Sequence, residues 1–139
     1  MYLVDTNVIS ELRRGERADQ GVRAFFERCA LEQRPLYLSV VTVGELKRGV
    51  ELIRHRNDLA QAHLLDCWLE GLLTRYQRFI LPVDAEVALC WASLRVPHPE
   101  NALDKLIAAT ALCHRLTVVT RNERDFSGLS VEVLNPFLG

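Results

Sequence analysis

No apolar run in this sequence approaches the length needed to cross a bilayer. The opening Met1-Tyr-Leu-Val-Asp5 meets an acid too early for a secretory signal, so a cytoplasmic location with no membrane contact is expected. Internal repeats, low-complexity stretches and a second domain are all absent, which leaves one domain over 1–139. Cysteine is sparse: Cys29, Cys67, Cys90 and Cys113 lie far apart inside helix-like apolar patterns. They are predicted to be reduced core thiols rather than disulfides. Lysine is scarcer still, since only Lys47 and Lys105 are lysines among the 17 Lys and Arg side chains.

Several chemistries are missing as well. Gly44 and Gly49 have the glycine spacing of a P-loop, but Val50-Glu51 stand where Lys-Ser/Thr belong. No dinucleotide fingerprint follows any candidate strand. His63 and Cys67 could share a helix face as zinc ligands, but no second ligand pair completes the site. His55, His98 and His114 read as surface or loop residues, and no serine or cysteine has a base beside it. A phosphoacceptor receiver domain would need paired acids after its first strand and a lysine near its last. This chain has neither.

What remains is a soluble-type composition, 49% apolar and 25% charged, with a formal net charge of −1. That balance does not announce a nucleic-acid binder, yet the arginines cluster. Arg13, Arg14 and Arg17 come early; Lys47, Arg48, Arg54 and Arg56 follow Glu45; Arg121 and Arg124 sit together near the end. Guanidinium forks suit phosphate recognition.

Short apolar strands alternate with helical periods. Strands are predicted at Tyr2-Leu-Val4, Leu36-Tyr-Leu38, Phe79-Ile-Leu81, Thr117-Val-Val119 and, as a fifth, Val131-Glu-Val133-Leu134. A helical turn is predicted over 9–13, and helices over 18–32, 41–53, 55–76, 85–94 and 102–114. Leu64, Leu65, Trp68, Leu69 and Leu72 form the apolar stripe of the fourth span, and Leu103, Leu106, Ile107 and Ala111 that of the last. Asp84 and Asn101 are placed to cap the last two helices. Such alternation implies an α/β fold with a parallel sheet of four to five strands covered on both faces.

Four acids stand at or just past apparent strand ends: Asp5, Glu45, Asp104 and Asp125. Each has a purely structural reading. Asp5 could cap a helical turn, and Glu45 or Asp104 could complement a helix dipole. Asp125 could belong to a polar turn. In a parallel α/β sheet, however, strand ends gather on one edge, where ligands bind. Carboxylates gathered there repel one another unless a cation or shared protons hold them. An all-oxygen site favours Mg²⁺, with Mn²⁺ as substitute, and so points to phosphodiester hydrolysis by an activated water.

The motifs carrying these acids resemble one family. Met1-Tyr-Leu-Val-Asp5-Thr-Asn-Val-Ile-Ser-Glu11, Ser39-Val-Val-Thr-Val-Gly-Glu45-Leu-Lys-Arg-Gly49-Val and Asp104-Lys-Leu-Ile-Ala-Ala-Thr-Ala111 are similar to PIN-domain toxins of the VapC/FitB group. Thr117-Val-Val-Thr-Arg-Asn-Glu-Arg-Asp125-Phe and Asn135-Pro-Phe137 extend the likeness over nearly the whole chain. The resemblance implies a three-layer α/β/α sandwich and a Mg²⁺- or Mn²⁺-dependent ribonuclease. Asp5, Glu45 and Asp104 match the family's metal-site acids. The fourth acid falls at Asp125 or at the position held here by Asn122. Thr6, Asn7, Ser39, Thr120 and Asn122 match supporting polar residues.

Such toxins pair with a cognate small antitoxin that enters the active-site groove. The assembly, built on toxin homodimers, reaches operator DNA through the antitoxin. The leading expectation is therefore an endoribonuclease toxin acting on RNA. The alternative is a partner-dependent DNA- and antitoxin-binding module with little nuclease activity of its own.

Overall fold

The first strand is three residues of uninterrupted apolar chain, β1 at Tyr2–Val4, and it ends on an acid. In this computed structural model, which describes residues 1–138, β1 pairs in parallel with two neighbours. They are β2 (Leu36–Ser39) and β4 (Thr117–Val119). Outside them lie β3 (Ile80–Leu81) and β5 (Val133–Leu134), also parallel, giving the order β3-β2-β1-β4-β5. The sheet has five strands, at the upper end of the expected range.

Six helices cover it: α1 (Thr6–Glu11), α2 (Gln20–Leu31), α3 (Val40–His55), α4 (Leu59–Arg75), α5 (Ala85–Leu94) and α6 (Ala102–His114). Side chains alternate across the strands, which splits the core in two. Val4, Leu38 and Val119 pack with Val8, Ile9, Phe25, Leu46 and Leu69 of α1 to α4. Leu3 and Val118 face the other way, onto Ile107, Ala108 and Ala111 of α6. The fold is thus the expected α/β/α sandwich.

Local chemistry moves several predicted boundaries. The first helix begins earlier than its apolar pattern, because Asp5 caps it; a 3-10 stretch, Leu12–Arg17, then breaks at Gly15 with φ 59°. The helix expected over 18–32 starts at Gln20, since Asp19 is its cap and accepts from the Val22 amide. The fourth span does not run continuously from His55. Asn57 takes a positive φ of 66°, and Asp58 restarts the helix by accepting from the Gln61 amide. Leu64 and Leu103 were expected in apolar stripes but stand 63% and 51% exposed, on the outer sides of α4 and α6. Asn101 precedes α6 in the left-handed region and makes no side-chain cap bond. Asp84 does cap α5, accepting from the Val87 amide at 2.9 Å. All four cysteines are free, but only Cys29 is a core thiol; Cys67 is exposed. No helix among the described residues is long and apolar enough to cross a membrane.

Candidate active site

Strand order decides where a site can form. From β1 the chain steps outward to β2 and β3, then returns to build β4 and β5 on the other side. The switch point therefore lies at the carboxyl ends of β1 and β4, where open α/β sheets bind ligands. The residues that follow those two strands are Asp5 and Thr120, both buried.

Asp5 does two jobs at once. One oxygen, Oδ1, accepts from the Thr6 amide at 2.8 Å and caps α1. The other, Oδ2, accepts from Thr120 Oγ1 at 2.7 Å and from Asn7 Nδ2 at 3.2 Å. The carboxylate is 3% exposed and has no cation beside it among the described residues. Burial pushes its pKa up; the Thr120, Thr6 and Asn7 hydrogen bonds pull the other way, and Glu45 adds repulsion.

Asn7 ties the two strand ends together. Its Nδ2 also reaches Thr120 Oγ1 at 3.3 Å, and its Oδ1 accepts from the Arg121 amide at 2.9 Å. Asn122 donates its backbone N–H to Thr120 Oγ1 at 3.0 Å. Glu45 sits in the second turn of α3, held there by Thr6, whose Oγ1 donates to Glu45 Oε1 at 2.6 Å. Thr42 Oγ1 lies 3.3 Å from the same Thr6 hydroxyl, so Thr42 belongs to this network too. Its spacing of three from Glu45 was the signal for that.

Asp104 enters from the first turn of α6, which Trp91 of α5 pins by donating Nε1 to the Ala102 carbonyl at 2.9 Å. The Asp104 carboxyl is half-buried and accepts no hydrogen bond from the described residues. Its pKa is raised to about 6, first by burial and then by repulsion from Asp5, Asp125 and Glu45. Asp125 lies in a 3-10 turn, Glu123–Phe126, after β4. Repulsion joins it to Asp104, whereas Asn122 offers the network only its backbone N–H.

All four predicted acids thus lie close enough at one edge of the sheet to repel one another, and Thr6, Asn7 and Thr120 are the polar groups that orient two of them, Asp5 and Glu45. Ser39 is different. Its hydroxyl accepts from the Val41 amide at 3.0 Å and caps α3, a structural task. Two of the arginine-cluster residues are also committed elsewhere. Lys47 and Arg54 both pair with Glu51 and Asp66, which bridges α3 and α4 and lowers the pKa of both acids. Lys105, not among the expected site residues, is buried beside Asp104. An adjacent Asp-Lys pair inside the otherwise apolar run Ala102-Leu-Asp-Lys-Leu-Ile was the available signal.

The donor set fits a hard divalent cation. Carboxylates converge with the Thr6 and Thr120 hydroxyls and the Asn7 carboxamide, burial and crowding work against free carboxylates, and no ion pair among the described residues reaches any of the four acids. Among the described residues no three Asp, Glu, His or Cys side chains close into a ready-made cage. A small cation that keeps most of its water and uses one or two carboxylates needs no such cage.

Comparison with known proteins identifies the family and the fold. The PIN domain pattern matches residues 2–131. The chain is 37% identical to Toxin FitB of Neisseria gonorrhoeae over 142 aligned positions, covering 99% of each chain. It is 33% identical to a VapC ribonuclease of Sinorhizobium fredii, covering 99% of this chain and 98% of the relative. The solved structure of FitAB bound to the IR36 DNA fragment superposes with a TM-score of 0.85 at 36% identity, over 99% of this chain and 96% of that one. Matches of that length leave no element of the sandwich unaccounted for. The chain belongs to the PIN-domain family, in its VapC/FitB group.

Proposed function

We propose that this protein is the toxin of a toxin–antitoxin pair, a Mg²⁺- or Mn²⁺-dependent endoribonuclease acting in the cytoplasm. The observation that carries the reading is the crowding of carboxylates at the switch point. Asp104, raised to about 6 by burial and by Asp5, Asp125 and Glu45, is a group waiting for a positive charge.

Asp5, Asp104 and Asp125 would hold the cation, and Glu45 would hold it or position the attacking water. When bound, Mg²⁺ or Mn²⁺ would supply a water of lowered pKa and neutralise charge at the phosphate. The chain's own residues do the rest. Thr6, Thr120 and Asn7 fix the plane of the Asp5 carboxylate. Thr6 aims Glu45 by its 2.6 Å bond. Arg121 and Arg124, exposed on the loop that follows β4, would hold the RNA backbone by its phosphates.

The toxin role, an antitoxin partner and indirect contact with operator DNA are supported by FitB at 37% identity and by FitAB on its DNA fragment. A homodimer is expected from the same likeness. One observation favours the alternative of a binding module: no three ligand-type side chains form a ready cage among the described residues. The decisive experiment is RNA cleavage in Mg²⁺ or Mn²⁺ with and without chelator. Cleavage should stop with chelator and in Asp5→Asn, and full activity in that variant would sink the assignment. Absence of Mn²⁺ binding at millimolar metal would favour the binding module.

A further inference from the structure

A cavity of about 500 Å³ opens beside the acids, between the loop 96–101 and the turn 127–129. Lys105, Asn101, Arg124, Asp125 and Ser127 line it. Lys105 is only 5% exposed, and its Nζ donates to the His98 carbonyl. An ammonium has three hydrogens to donate, so two remain without an acceptor among the described residues. None of the ion pairs among the described residues includes Lys105. A buried cation without a counter-group is costly, and folded proteins rarely keep one that no ligand meets.

The position of this ammonium tells what it meets. Lys105 follows Asp104 on α6, and Asp125 lies on the cavity wall, so the cavity adjoins the acid cluster. Its volume is that of a small-molecule pocket able to enclose one nucleotide. Arg124 stands at its exposed side with a guanidinium suited to a phosphate.

We propose that this cavity is a nucleotide subsite, taking the RNA nucleotide that flanks the bond to be cut. The Lys105 ammonium donates to the acceptor edge of the base, and Arg124 binds the adjoining phosphate. This rests on the ribonuclease reading above. A donor-only ammonium accepts guanine, whose O6 and N7 are both acceptors, and faces adenine's amino group donor to donor. Lys105 is therefore a specificity-determining residue, and guanine is preferred over adenine.

The test uses the full chain without metal, titrated by calorimetry or NMR with GMP, AMP and inorganic phosphate. GMP should bind roughly tenfold tighter than AMP or phosphate. Lys105→Met should remove roughly tenfold of that affinity, the loss of one charge-assisted hydrogen bond, and Lys105→Arg should restore part of it. Equal binding of GMP and AMP, or of GMP and phosphate, overturns the subsite even if the Lys105 variants fail to fold. So does unchanged GMP affinity in a folded Lys105→Met protein. No step of this test needs cleavage. A protein that binds GMP through Lys105 but cuts no RNA keeps the subsite and loses the nuclease. One that cuts RNA with no base preference does the reverse.

Discussion

Thr120 Oγ1 donates a 2.7 Å hydrogen bond to Asp5 Oδ2 across 115 residues of sequence, joining the ends of β4 and β1. Both residues are buried, at 0% and 3% exposure, so the bond is shielded from water. The same hydroxyl accepts from the Asn122 amide at 3.0 Å. One threonine thus orients the central acid and anchors the loop that carries Asp125.

Replacing it tests both tasks. Thr120→Val keeps the shape but removes the hydroxyl. Losing a buried hydrogen bond to a charged group should cost about 2 kcal/mol of stability. Since that bond pulls the Asp5 pKa down, its loss should raise it further and weaken Mn²⁺ binding by about tenfold, as for removed supporting contacts elsewhere. Thr120→Ser should recover most of both. Thermal melts and Mn²⁺ calorimetry read the two effects separately.

Asp104 gives a pH dependence of known sign. Its folded pKa of about 6 lies above the 3.8 of the free side chain. Between those values the folded state holds a proton that the unfolded chain has released, so stability falls as pH rises through the window. Asp104→Asn carries no such penalty. Without metal it should melt close to the wild type near pH 4 and above it at pH 7.5, the gap opening mainly between pH 4 and 6. With millimolar Mn²⁺ at pH 7.5 the order should reverse. A gap independent of pH would remove the crowding argument.

The sequence was most legible where one residue type answers one local rule. Tyr2-Leu-Val4 and Thr117-Val-Val119 could only be buried strands, and their parallel partners followed from the helices between them. Asp5, Glu45, Asp104 and Asp125 could be placed on one edge because strand ends define it. Pairing across long separations was not legible. Thr6 meeting Glu45 and Thr42, or Asn7 meeting the Arg121 amide, depends on how α1 leans over the sheet. The exposure of Leu64 and Leu103 likewise depends on which flank of α4 and α6 the neighbouring helices leave open. Composition also hid which cations are free, since Lys47 and Arg54 look like phosphate binders until Asp66 is seen between them.

That last point separates the cations by role. Lys47 is tied to Glu51 at 3.2 Å and to Asp66 at 2.8 Å, whereas Arg124 is exposed and makes no ion pair among the described residues. Lys47→Ala should leave affinity for single-stranded RNA within about twofold. Arg124→Ala should weaken it several-fold and reduce the slope of log K against log salt by about 0.7, the share of one phosphate contact. Fluorescence anisotropy across a salt series measures both. Equal losses in the two variants would mean that long-range charge, not position, draws the RNA.

The carboxyl-terminal segment holds the other loop arginine in place. Asn135 Nδ2 donates to the Arg121 carbonyl at 3.4 Å and to Glu123 Oε2 at 3.2 Å. Asn135 Oδ1 accepts from the Phe137 amide at 3.0 Å, and the Arg121 guanidinium stacks 4.7 Å from the Phe137 ring centre. Glu123 is therefore engaged by an amide rather than by Arg121, which leaves the stacked guanidinium open to a phosphate. Phe137→Ala removes the stack and should free Arg121 without touching any acid. An exposed cation–π contact is worth about 0.5–1 kcal/mol, so RNA affinity should fall by roughly two- to fivefold while Mn²⁺ affinity stays constant. Phe137→Tyr, which keeps the ring, should behave as wild type. Faster amide hydrogen exchange over 121–125 in the alanine variant alone would show that the loop is held from its carboxyl-terminal side.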